Sequence, residues 1–273
     1  MEIYDSAIKQ SPVISQLKAI YKARGLLKIL VTRDMTVRYK RSVLGIWWSL
    51  LNPIVTTGVL FYVFNTVFRS RMPDNTSFLP YLLSGVLIVT FFNQSLLAAA
   101  DSIAHGAGIL TKVYVRPEIF ATSSTISGAI NFSIGLIPLT VVLLINGQHP
   151  TLNSVLVLVV ILSMIFLIIG LALFVAIAFI NFDDSRSIIA IILMMVQYMT
   201  PVFYPISVLG PNTLRVIKLN PLTSMLINFR SIYGGNGSTG WHMWAYMIGS
   251  SLTIFILGIW FFIRAWPKAV AKL

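Results

Sequence analysis

Apolar residues run along this chain in long blocks, separated by short polar or glycine-containing intervals. Six blocks, at 46–68, 78–100, 120–145, 154–180, 188–203 and 245–264, approach the roughly 20 residues that cross a bilayer as a helix, with slack for tilt. The fifth is short and carries Pro201 near its end, which predicts a break before the far surface. Ahead of the first block, Val13, Ile14, Leu17, Ile20 and Tyr21 recur at helical spacing among Lys18, Lys22, Arg24 and Lys28. That pattern predicts an amphipathic helix in the membrane interface, the alternative being an ordinary charged tail.

The interval after the fifth block, 204–244, is too long and too apolar for a simple connection. Asn220 followed by Pro221 is a helix start, an Asn cap and then a proline whose missing N–H costs nothing in the first turn. Leu222, Met225, Leu226, Phe229, Ile232 and Tyr233 then form one apolar stripe, and Gly234-Gly235 ends it. Leu214, Val216, Ile217 and Leu219 make a shorter apolar element after Pro205 and Pro211. Two half-length helices divided by Asn-Pro read as a re-entrant hairpin packed against protein, the alternative being a pair lying flat on lipid. The expected fold is all-α and membrane-integral, with six spans, an N-terminal interface helix and two short outer helices. Residues 1–45 form the interface segment, 46–265 the membrane domain and 266–273 a tail. An inner helix is expected at about 101–117 and the outer pair at about 205–234.

Composition supports the membrane reading: 57% of residues are hydrophobic and 10% charged, with mean hydropathy +0.85. A soluble domain of this length could not cover that much apolar surface. The polar residues before the first block predict no cleavable signal peptide at Met1. The absence of cysteine excludes disulfides and thiolate metal sites. A net charge of +12 fits positive-inside bias and attraction to anionic lipid, and we expect no nucleic-acid partner. With the N-terminus inside, 15 of the 20 Lys and Arg fall on inner segments, which predicts a multi-pass protein of a bacterial cell membrane with both termini cytoplasmic.

Between Arg33 and Pro53 the cations Arg38, Lys40 and Arg41 run into Trp47 and Trp48, a basic collar followed by an interfacial aromatic anchor. The inner segment after the second block holds Gly106 and Gly108, expected to break the span, and then Ile109, Leu110, Lys112, Tyr114 and Arg116 ahead of Pro117. A short, partly apolar helix there suits a groove on a partner. Asp183 and Asp184 are adjacent carboxylates in the second inner loop, read as capping and solvated, with no metal expected. Phosphate-binding and hydrolase motifs are absent, and His105, His149 and His242 are scattered. Asn93, Gln94, Asn131 and Gln197 lie within blocks and read as glue between helices. No span carries a charge near its middle, which argues against proton relays and voltage sensing.

Three stretches resemble the membrane subunit of type-2 ABC exporters of polysaccharides, the family that moves O-antigen, teichoic acid, capsule or galactan. RDMTVRYKRSVLGIWWSLLNP is similar to that family's signature in Arg33, Asp34, Arg38, Tyr39, Ser42, Leu44, Gly45, Trp48 and Pro53. TPVFYPIS, with Pro201, Tyr204 and Pro205, resembles the end of its fifth span. LNPLTSMLINFR, with Asn220, Pro221 and Arg230, resembles its outer gate helices. The chain departs from the pattern in having Arg116 before Pro117, and Asp183-Asp184 where Arg-Asp is usual.

The resemblance implies a homodimer bound to two copies of a separate ATPase, with ATP and magnesium on that partner and no cofactor or enzymatic centre in this chain. It implies a substrate of polysaccharide on polyprenyl diphosphate, moved from the cytoplasmic to the outer side. On that reading Arg33, Arg38, Tyr39, Lys40, Arg41 and Trp48 meet the lipid diphosphate. Ile109, Leu110, Lys112, Tyr114 and Arg116 meet the ATPase. Phe61, Tyr62, Phe91, Phe92, Tyr198, Pro201, Tyr204, Asn220, Pro221, Phe229 and Arg230 are candidates for the glycan channel and outer gate, lipid-facing or helix-packing roles being the alternative for the aromatic residues among them. A drug-efflux permease of the same type, or a membrane transferase acting on lipid-linked sugars, are the other readings.

Overall fold

The computed structural model describes residues 23–40, 42–69, 72, 77–110, 116–148, 152–233 and 239–270. The described residues form nine α-helices: α1 (Arg24–Tyr39), α2 (Trp47–Phe68), α3 (Phe78–Leu110), α4 (Glu118–Ile145), α5 (Val157–Asn181), α6 (Ser185–Met199), α7 (Pro211–Lys218), α8 (Pro221–Tyr233) and α9 (Trp241–Val270). Five stretches are long and apolar enough to span a membrane: Trp47–Phe68, Phe78–His105, Glu118–Ile145, Asn153–Asn181 and Trp241–Ala269. The fifth expected span is the 15-residue helix α6, which stops at Met199 because the proline at 201 cannot continue the backbone ladder.

Two other boundaries differ from the sequence expectation, and the expected N-terminal interface helix falls mostly outside the described residues. Residues 1–22 lie outside the described residues, and the helix that precedes the first span is α1. It begins where the apolar recurrence at 13–21 has ended, and Arg38 and Tyr39 fall in its last turn. The third helix continues through Gly106 and Gly108 to Leu110, so the first part of the expected inner helix is the end of a 33-residue helix. Two glycines cost about 1 kcal/mol each, which is small once a long helix is nucleated and propagating. The last helix runs to Val270, beyond the expected boundary at 265.

The core is built around α3, whose Leu82, Ile88, Ala99, Ala100 and Ile103 are fully buried. It packs on α2, α4, α5 and α8. The tightest crossing is between α5 and α9, where a Cβ on Gly258 would lie 2.3 Å from the Gly170 carbonyl oxygen and one on Gly170 would lie 2.7 Å from that of Ile254. Small residues at this crossing let two backbones meet, the packing that holds helices together where lipid removes the hydrophobic drive. By contrast, α2 buries only Pro53 and Thr57, and α6 only Ser185 and Leu193. Both leave apolar faces exposed, Tyr62 the most at 87%.

Helix lengths set the depth of each feature. At 1.5 Å per residue, α2 is about 33 Å long, the thickness of a bilayer's hydrocarbon core. Its Phe61 and Phe68 rings meet Phe78, the first residue of α3, at 6.1 Å. This distal end is therefore common to both helices, and Trp47 marks the other boundary. The last turns of α3 and the first of α4 extend past that boundary, where Leu27 and Leu30 of α1 pack on Ile119 and Phe120.

Candidate functional site

A cleft of about 270 Å³ opens at the Trp47 boundary. Its walls are Arg38 and Tyr39 from the end of α1, Trp48, Ser49, Asn52 and Pro53 from the first turns of α2, Thr90, Phe91, Gln94 and Ser95 from α3, and Gly128, Asn131 and Phe132 from α4. One wall is fixed by a hydrogen-bonded triad. Asn131 Oδ1 accepts from the Tyr39 hydroxyl at 2.5 Å and from Ser49 Oγ at 2.9 Å, which brings the two hydroxyl oxygens into contact. This triad ties α1, α2 and α4 together at one point. On the facing side, Phe91 stacks on Phe132 with ring centroids 5.1 Å apart. Gly128 allows the α3–α4 approach beneath them, since a Cβ there would lie 1.9 Å from Ser95 Oγ. Among the described residues, the side chains of Arg38, Thr90 and Gln94 make no hydrogen bond.

The structure thus brings together four of the residues that the sequence assigned to the lipid diphosphate or the channel, Arg38, Tyr39, Trp48 and Phe91, with Pro53 of the signature stretch. Arg33 is 3.3 Å from Asp34 Oδ1, and neither it nor Lys40 lines the cleft. Arg41 lies outside the described residues. Ser49, Asn52, Thr90, Gln94, Ser95 and Asn131 also line the site. A signal for them existed: Ser49 and Asn52 are three apart and Thr90 and Gln94 four apart, so each pair shares a helix face.

A second arrangement closes the distal end. Arg230 of α8 donates from Nη1 to the Pro201 carbonyl at 2.8 Å, from Nη2 to the Tyr81 carbonyl at 2.9 Å and from Nε to Ser84 Oγ at 3.2 Å. Its guanidinium carbon lies 3.4 Å from the centroid of the Tyr81 ring. The Tyr81 hydroxyl donates to the Tyr204 carbonyl at 2.9 Å and that of Pro201 at 3.2 Å. Beyond the end of α6, the carbonyls of the non-helical Pro201 and Tyr204 thus find donors on α3 and α8, as non-helical backbone at membrane depth requires. Asn220 contributes twice: its Oδ1 accepts the Leu222 N–H at 3.0 Å, capping α8, and its Nδ2 donates to Thr200 Oγ1 at 3.0 Å. Pro221 is the first residue of α8.

The remaining channel and gate candidates do not share one surface. Phe92 and Phe229 are buried in the core, Phe229 against Phe132 and Tyr233. Phe61 stacks on Phe78, Tyr62 points away from the bundle, and Tyr198 is exposed on α6, its carbonyl accepting from the Tyr204 hydroxyl at 3.0 Å.

At the opposite end, Arg186 in the first turn of α6 reaches Asp101 Oδ1 of α3 at 2.8 Å and lies over the Phe179 ring. Asp184 is the cap residue of α6, but its side chain makes no capping bond. Ile109 and Leu110 end α3, and Arg116 immediately precedes Pro117 and α4. Lys112 and Tyr114 lie outside the described residues.

Residues 25–233 match the family model of the ABC-2 type transporter. The chain is 31% identical to the O-antigen export system permease protein RfbA of Myxococcus xanthus, over 81% of this chain and 85% of that one. It is 25% identical to a Klebsiella pneumoniae RfbA of the same description, over 86% and 89% of the two chains. Identity to the polysialic acid transport protein KpsM of Escherichia coli is 19%, over 73% and 78%. With more than half of its length inside the family model and a relative above 30% identity across most of both chains, this chain belongs to the ABC-2 type transporter family.

Proposed function

We propose that this chain is the membrane-spanning permease of an ATP-driven polysaccharide exporter. It carries glycan on polyprenyl diphosphate from the cytoplasmic to the outer face of a bacterial cell membrane. The observation that carries the reading is the cleft at the Trp47 boundary, where a cation, Arg38, stands at headgroup depth beside neutral hydrogen-bonding groups and aromatic faces. A guanidinium suits a diphosphate through charge-assisted, paired hydrogen bonds. Relatives described as O-antigen and polysialic acid transport proteins support the substrate class.

On this reading the Arg38 end is cytoplasmic, in line with the excess of Lys and Arg on the segments assigned to that side. The segment after α6, with Pro201 and Tyr204, completes the fifth crossing, and α7 and α8 form the outer gate. Two copies of the chain pair through the apolar faces that α2 and α6 leave exposed, and two copies of a separate ATPase seat against the end of α3 and Arg116. The motor closes on ATP and repacks the two membrane halves, a two-state change at an interface that needs no continuous wire to reach the gate. ATP and magnesium belong to the motor.

The test is binding of a polyprenyl diphosphate to the purified complex in nanodiscs, wild type against Arg38→Ala. Replacing the guanidinium weakens binding about tenfold or more, as for the loss of a charge-assisted contact, and leaves assembly intact. Unchanged binding and normal export by Arg38→Ala contradict the role given to the cleft.

A further inference from the structure

We infer that the cleft is also a sugar site, which takes the single hexose ring attached directly to the lipid diphosphate. The inference rests on the exporter reading and deepens it: Arg38 addresses the diphosphate, and the wall beyond it addresses the first sugar.

Three observations converge on this. The first is composition. Tyr39, Ser49, Asn52, Thr90, Gln94, Ser95 and Asn131 all face one small space, with no carboxylate and Arg38 as its cation. Polar side chains at membrane depth are costly unless they serve packing or a ligand. The Tyr39–Ser49–Asn131 triad serves packing. Among the described residues, Thr90 and Gln94 bond to nothing. They lie one helical turn apart on α3, so a hydroxyl and a carboxamide are presented to the cleft from the same face.

The second observation is the pairing of these groups with aromatic faces. Trp48, which is exposed, borders the same space, and the buried, mutually stacked Phe91 and Phe132 form its apolar floor. A sugar ring offers apolar C–H faces and a rim of hydroxyls, so it needs flat apolar walls together with neutral donors and acceptors. A lipid tail needs only the first, and a bare phosphate only cations.

The third is size and position. At about 270 Å³ the cleft falls just below the usual range of about 300–1,000 Å³ for small-molecule sites. That is room for one sugar ring. The triad also makes the space rigid: with Oδ1 of Asn131 occupied by two hydroxyls, the carboxamide cannot turn, so its orientation toward a ligand is set before binding.

The experiment measures affinity of the intact permease–ATPase complex in nanodiscs for three probes: polyprenyl diphosphate, the same lipid bearing one hexose, and soluble hexose 1-phosphate. Wild type is compared with Gln94→Leu and with the isosteric Thr90→Val. The sugar-bearing lipid binds wild type about tenfold more tightly than the bare lipid, a difference of about 1.4 kcal/mol. Each substitution removes most of that advantage while binding of the bare lipid, which also reports correct folding, stays the same. Equal affinity for the two lipids in wild type, or an advantage retained by both variants, overturns the sugar site and leaves the exporter reading standing. Equally tight binding of hexose 1-phosphate overturns it in favour of a soluble ligand. If neither lipid binds and the complex moves no glycan, the exporter reading itself falls.

Discussion

Arg230 and Pro201, 29 residues apart in sequence, are joined by a 2.8 Å hydrogen bond from the guanidinium to the proline's carbonyl. The same side chain reaches Tyr81 and Ser84 on α3. One arginine therefore satisfies the end of α6 and binds three parts of the chain at once. Replacing it with Met removes three hydrogen bonds at membrane depth, those to Pro201, Tyr81 and Ser84. The expected loss is about 3 kcal/mol of stability, and Arg230→Lys recovers only part of it, because an ammonium cannot reproduce the planar fork. Thermal unfolding in detergent with an α6-directed cysteine-accessibility probe checks both.

Gly85 makes that arrangement possible. A Cβ at this position would lie 2.8 Å from Arg230 Nη2 and 2.9 Å from Val202 Cγ1. Gly85→Ala is therefore predicted to displace the guanidinium and destabilise the distal end by about 1–3 kcal/mol. At Gly58, where nothing lies within 4 Å of an added Cβ, the same substitution is tolerated. Comparing the two variants by unfolding temperature separates crowding from helix propensity.

The α5–α9 crossing gives a sharper case. A Cβ on Gly258 collides with backbone of Gly170 rather than with a movable side chain, so Gly258→Val forces the helices apart. The expected outcome is a protein that inserts but does not purify as a folded species. Gly249→Val on the same helix, with nothing within 4 Å of its Cβ, behaves as wild type in size-exclusion chromatography.

How far this was legible from sequence differs by element. Asn220-Pro221 announced the start of α8, and Pro201 announced the end of α6, because a cap and a missing N–H are local. Arg230 was visible as a cation near the outer side, but its acceptors come from Tyr81 and Ser84, about 150 residues away in the chain, and no local pattern points to them. α1, Arg24–Tyr39, was not legible because its own apolar stripe is weak: only Leu27 and Leu30 are buried, on one small patch of α4; the apolar recurrence at 13–21 lies outside the described residues. Among the site residues, Arg38 and Trp48 stood out by charge and aromaticity. Asn131 read as helix glue, and its Oδ1 is indeed bound to Tyr39 and Ser49; that the same residue borders a cleft depends on three other helices meeting there.

Arg186 and Asp101 are both substantially exposed and pair at 2.8 Å. Such a bridge contributes at most about 1 kcal/mol to stability, so Arg186→Ala is expected to leave the unfolding temperature nearly unchanged. Its effect falls on coupling: the pair links the start of α6, the broken span, to the inner part of α3, at whose end we place the motor. Transport per ATP hydrolysed drops several-fold in Arg186→Ala and recovers in the charge-swapped double variant Asp101→Arg/Arg186→Asp. Parallel assays of ATP hydrolysis and glycan flux read this ratio directly.

The measurement that bears most directly on the central claim is glycan flux in proteoliposomes, with the purified chain alone and then with a cognate ATPase. The account predicts no turnover of lipid-linked glycan by the chain alone. It predicts ATP-dependent movement of polyprenyl-diphosphate glycan in the complex, reduced by Arg38→Ala. Chemical conversion of a lipid-linked sugar by the isolated chain, or motor-complex activity indifferent to that lipid, would contradict it.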